Sequence, residues 1–198
     1  GIDLPGDRDN YAFGVGAGFY VDALQKPWSN NYKMATYIRE ELPQLLQQHV
    51  PLDEQACGIF GHSMGGHGAL TLALNNPNQY RSVSAFSPIC APSQCSWGQN
   101  AFTGYLGTDR HLWQEYDACE LVINRGWPHQ SILIDQGDKD PYLQEQLKPE
   151  LFKAACKQAK VPLNLRMHKD YDHSYYFVAS FIGDHLRFHA SVLLKSLD

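Results

Sequence analysis

The chain alternates between short continuous apolar runs and longer stretches whose apolar positions recur every three or four residues. The longer pattern comes first. From Asn30 onward, through YKMATYIREELPQLLQQHV, the residues Tyr37, Ile38, Leu42, Leu45 and Leu46 fall near helical spacing. Pro43 is expected to kink or split this helix, because it has no N–H and its ring meets the carbonyl one turn back. Residues 56–60 then suit a buried strand, and GHSMGGHGALTLALNNP after them suits a helix ended by Asn-Pro. SVSAF (82–86), SILIDQ (131–136) and LNLRMH (163–168) predict three further strands.

Between these runs, residues 88–116 read as loop with short helices. Asp117-x-x-Glu120 resembles a capping box for a helix through Arg125. Pro149-Glu150 opens a helix to about residue 160, with proline at a permitted first-turn position. A last helix is expected over about 174–197. Strand and helix thus alternate four times, which predicts a mostly parallel sheet covered by helices on both faces, an α/β class. Residues 1–198 read as one domain, and residues 1–30, rich in Gly, Pro and aromatics, as a long ordered loop.

Composition narrows the function classes. A net charge of −5 with no block of Lys or Arg argues against nucleic-acid binding and against docking on an anionic membrane. No apolar run approaches the roughly 18 residues of a membrane span. The five cysteines, Cys57, Cys90, Cys95, Cys119 and Cys156, are odd in number and form no Cys-x-x-Cys. They predict a reduced, intracellular protein without a disulfide framework or a zinc knuckle.

The chemistry starts at Gly61-His62-Ser63-Met64-Gly65, a G-x-S-x-G string. The pentapeptide alone is a modest signal, but here it follows an expected strand and opens an expected helix, the context a nucleophile elbow requires. Gly61 and Gly65 let strand and helix approach closely around the turn. Ser63 would then point out over the sheet edge, and the Met64 N–H at the helix N-terminus could donate to a developing oxyanion. His62 and His67 are expected to pack or hydrogen-bond. This context predicts an α/β-hydrolase fold.

A serine hydroxyl needs a base. In this fold the chain order is Ser, acid, His, each on a loop after a strand. His173, in KDYDHSYY before the last helix, fits the base; His168, His185 and His189 read as surface or core-edge residues. The acid is Asp140, Asp138 or Asp135: Asp135 still belongs to its strand, and Asp138 directly after Gly137 suits a turn. Asp172 adjoins His173 along the chain and is poorly placed to orient the ring. No metal-ligand spacing is visible, and no cofactor is required.

GAGFYVDA, NYKMATYIREELPQL, GHSMGGHGAL, ILIDQGDKD and YDHSYYFVASFIGDHLRFHA together resemble the S-formylglutathione hydrolase (esterase D) family over essentially the whole chain. The resemblance implies an α/β-hydrolase fold and a triad of Ser63, Asp140 and His173, which favours Asp140 over Asp138. It implies a small-molecule thioester substrate, a glutathione conjugate, and a cytoplasmic homodimer. It also implies further strands before GAGFYVDA, with the second oxyanion donor. That segment is not in this sequence, so the chain is expected to be a fragment, inactive or unstable alone, with an uncovered sheet edge. Trp97 and Cys95 are expected to border the acyl pocket and Tyr175 to form another wall, crowding the site in favour of formyl. A general carboxylesterase or acyltransferase with the same triad is the alternative, and a non-catalytic scaffold a remote third.

Overall fold

The computed structural model describes residues 2–53 and 57–194. Four parallel strands form one sheet in the order of the chain: β1 (Gly58–His62), β2 (Ser82–Phe86), β3 (Ile132–Gly137) and β4 (Leu163–His168). The expected strand over 56–60 therefore lies two residues further on, and Ala56 falls outside the described residues. β2 and β3 are central and buried at every position, whereas β1 and β4 are partly exposed. Among the described residues nothing pairs with the outer edge of β1, where Phe60 is 45% exposed. This agrees with the expectation of an open sheet edge.

The helical stretch after the N-terminal loop runs as α1 (Met34–Thr36), a wider π-type turn (Tyr37–Glu41) and α2 (Leu42–Gln47). Pro43 does not break it. The Leu42 N–H reaches back five residues to the Tyr37 carbonyl, and the widened turn seats the proline in the first turn of α2. α3 (Met64–Asn75) follows β1 directly. The stretch 88–116, expected as loop with short helices, holds an eleven-residue helix, α4 (Ser96–Leu106), and then the short α5 (Arg110–Trp113).

α6 (Ala118–Arg125) starts at Asp117, whose carboxylate accepts from the Cys119 and Glu120 N–H groups, one half of the expected capping box. Its other oxygen takes Ser93 N and Oγ instead. α7 (Pro149–Ala159) and α8 (Tyr175–Leu193) complete the fold; residues 195–197 of the expected last helix lie outside the described residues.

The two faces of the sheet differ. Val83 and Ala85 of β2 point into an apolar core with Leu70 and Ala73 of α3, Leu121 and Val122 of α6, and Phe152 of α7. Ser82 and Ser84, at alternate positions of the same strand, point to the other face, where α8 lies. A second apolar cluster, built around Tyr105, holds the N-terminal loop: the Tyr105 hydroxyl donates to the Ala17 carbonyl (3.0 Å) and accepts from the Gly14 N–H (2.8 Å). The expected ordered loop is thus fixed by a buried aromatic.

Candidate active site

Ser63 sits between β1 and α3 at φ 58°, ψ −119°, a conformation that side-chain-bearing residues rarely adopt. Gly61 is what lets the turn close. A Cβ there would lie 2.2 Å from the Gly65 carbonyl oxygen. Met64 is the first residue of α3, so its N–H has no carbonyl one turn earlier to bond, and the residue lines the cavities beside Ser63.

Asp140 and His173 come from the loops after β3 and β4. The His173 Nδ1–H donates to Asp140 Oδ2 at 2.6 Å. That fixes the tautomer and leaves Nε2 with its lone pair. Asp140 is 5% exposed, and its Oδ1 accepts from the Tyr142 N–H at 2.9 Å. Burial pushes this carboxyl up, but the bonds from His173 and the Tyr142 N–H outweigh it and hold Asp140 below the usual carboxylate range.

The two loops are locked together. Asp138 Oδ1 accepts from the Asp170 N–H (2.7 Å), Lys139 N donates to the Tyr171 carbonyl (2.9 Å), and a Cβ on Gly137 would strike that carbonyl at 2.3 Å. Asp138 therefore ties the turns, and Asp172 accepts from the Ser174 N–H in the turn before α8. Asp135 points to the opposite face of the sheet, toward Arg166.

Ser63 and His173 line the same cavity, of about 1030 Å³. The His173 ring packs on that of His62, the residue before Ser63, with centroids 4.5 Å apart. Among the described residues Ser63 Oγ makes no hydrogen bond to His173; in resting enzymes this contact is often long and tightens only around bound substrate. His62 is held neutral down to about pH 4, by burial first and by repulsion from His173 second. His67 is buried, and its Nε2–H donates to the Phe19 carbonyl at 3.0 Å.

A second cavity of about 540 Å³ opens on the other side of Ser63, lined by Met64, Ile89, Phe19 and Trp97 and roofed by residues 7–17. Trp97 lies between Tyr11 and Tyr142, and Tyr142 in turn contacts the His173 ring. Tyr175 lines the first cavity and is 81% exposed. Cys95 is not brought to the site. It is buried in the cluster around Tyr105, where an apolar environment raises its thiol pKa, and it lines neither cavity.

The other correction concerns His185 and His189. Both are buried on the side of α8 that faces the sheet rather than at the surface or core edge. Ser82 Oγ and Ser84 Oγ bond the two ring nitrogens of His189 (2.6 and 2.7 Å), and His185 Nδ1 bonds Ser84 Oγ (2.8 Å). His185 Nε2 and His168 Nε2 each lie 3.3 Å from Asp135, off the line of a hydrogen bond, and Arg166 grips both oxygens of Asp135 at 2.5 Å.

Comparison with known proteins accords with this geometry. A family model described as "Putative esterase" matches residues 4–188. The S-formylglutathione hydrolase of Bos taurus is 53% identical over 194 residues, 98% of this chain and 69% of that protein. The chain belongs to the S-formylglutathione hydrolase family. The Arabidopsis thaliana enzyme of that name is 50% identical over 98% of this chain and 68% of its own length. The structure of an S-formylglutathione hydrolase from Agrobacterium tumefaciens superposes with a TM-score of 0.93 at 51% identity, over 98% of this chain and 69% of that one. The α/β-hydrolase fold expected from the sequence is the fold of the family.

Proposed function

We propose that this protein is a serine thioesterase that hydrolyses S-formylglutathione to formate and glutathione. The observation that carries the reading is the 2.6 Å bond from His173 to Asp140, set beside the cavity onto which the strained Ser63 opens. The names of the relatives supply the substrate.

In this reading Ser63 Oγ attacks the formyl carbon while His173 Nε2 takes its proton, and Nδ1–H stays on Asp140. The tetrahedral oxygen receives the Met64 N–H, a donor worth about 2.7–4 kcal/mol of barrier. The glutathione thiolate leaves readily, since a thiol has a pKa of about 8.5 and needs little acid help. His173 then deprotonates a water that releases formate and frees Ser63. The same reading carries a role in formaldehyde detoxification, a homodimer, and a cytoplasmic setting in which five free thiols persist.

The 540 Å³ cavity favours a second reading, a short-chain carboxylesterase, because it is roomier than a formyl group needs. Rates on S-formylglutathione and on p-nitrophenyl esters of increasing acyl length separate the two. The thioesterase reading expects the formyl thioester to win by kcat/KM; a clear preference for longer acyl esters overturns it.

A further inference from the structure

The carboxylate that holds His173 has a second side-chain donor that folding alone does not explain. Gln136, on β3, is fully buried. Its Nε2 donates to Asp140 Oδ2 at 3.2 Å and to the Gly137 carbonyl at 3.1 Å. Both neighbours are acceptors, so the amide orientation is settled: the reverse would set oxygen against oxygen. That leaves Gln136 Oε1 buried with no hydrogen-bond partner in the structure. A buried acceptor without a donor is unfavourable, and an unbranched apolar side chain of similar size would fill the place without it.

We propose that Gln136 is a positioning residue for the acid–base pair, an inference that rests on the roles given above to Asp140 and His173. Asp140 Oδ2 receives Gln136 on one side and His173 on the other, while Oδ1 is held by the Tyr142 N–H. The carboxylate cannot turn away from the ring, and its charge is partly spread onto the amide when His173 carries the proton.

The other groups facing the pair do not replace this donor. The rings of His62 and Tyr142 contact His173, with Tyr175 beyond His62. Ser87 Oγ lies close enough to favour the Asp140 anion but is not in bonding geometry. Asp138 and Asp172 are engaged by the Asp170 and Ser174 N–H groups, and Asp135 by Arg166 across the sheet.

The test compares Gln136→Met and Gln136→Glu in the full protein. Gln136→Met should lower kcat about tenfold with KM unchanged and move the acid limb of the kcat/KM profile to higher pH by about half a unit or more. The far-downfield proton resonance of the His173 Nδ1–H should shift, while the melting temperature stays level or rises. In Gln136→Glu the introduced carboxyl donates while protonated, so activity should be retained just above the acid limb and fall with rising pH as that group ionises beside Asp140.

A merely structural role predicts lower melting temperatures with an unchanged profile. A Gln136→Met protein with kcat within about twofold, the same acid limb and an unmoved resonance overturns the proposal. If the unsubstituted protein fails to take a fluorophosphonate on Ser63, the hydrolase reading is what fails, and the resonance still decides the role of Gln136.

Discussion

Among the described residues two aspartate–histidine clusters lie about one sheet, one at the C-terminal end of its strands and one on a face. At the C-terminal end of the strands, Asp140 holds the Nδ1–H of His173, and the ring lines a cavity beside a strained serine. On the face under α8, Asp135 is gripped by Arg166 and flanked by His168 and His185, with His189 and two serines continuing the chain of contacts. Close pairing is not what separates them, since both carboxylates are gripped, Asp135 by Arg166 and Asp140 by His173. Access is. The first cluster leaves one nitrogen to a cavity, whereas His185 is wholly enclosed and its Nδ1 is occupied by Ser84.

The largest effect that sharpens this contrast is at the nucleophile. Ser63→Ala should abolish fluorophosphonate labelling and lower kcat by about ten-thousand-fold or more with the fold retained, as read by turnover and circular dichroism. The same exchange at the two acids should then divide the clusters. Asp140→Asn should cost about a thousand-fold or more in kcat with a small change in melting temperature. Asp135→Asn should cost about 3–5 kcal/mol of stability, seen in urea unfolding, while the fraction still folded keeps kcat within a few-fold. A stable, inactive Asp135→Asn would erase the distinction drawn here.

Acid should act on both sides of this comparison. His189 is lowered to about 4, by burial first and then by His185, so its folded pKa lies below the unfolded value near 6.5. Its neutral form contributes stability that is fully present above about pH 6.5 and lost as pH falls toward 4. His62 and His67, each lowered to about 4 chiefly by burial, follow the same sign. Asp135, lowered to about 2 by bonds that outweigh its burial, adds a loss only below about pH 4. Melting temperatures should therefore fall steadily from pH 6.5 to 4, and His189→Gln should flatten part of that slope. The smallest effect is at Asp138. Asp138→Ala removes the bond to the exposed Asp170 N–H and should cost about 1 kcal/mol, with kcat lowered only a few-fold.

The open cluster was far more legible in the sequence than the closed one. The Ser63 elbow is local, since strand, glycines and helix adjoin along the chain, and His173 follows from loop position and order. The acid needed the family resemblance, because Gly137-Asp138 reads equally well as a turn and as a site. The closed cluster joins residues that are distant in sequence through side-chain register. Ser82 and Ser84 look like ordinary alternation in a strand, and His185 and His189 like one polar stripe on a helix. Their i, i+4 spacing opposite an S-x-S strand was the available signal. Gln136 ended an apolar run and looked like its polar boundary, and the π-type turn before Pro43 has no sequence mark at all.

The bend at Ser63 has a consequence for inheritance as well as for chemistry. Its dihedral angles suit glycine, so the hydroxyl is kept there against a local preference of about 1–3 kcal/mol. A duplicated copy released from hydrolysis would gain robustness from Ser63→Gly, and drift at that codon is the expected first trace of a lost activity.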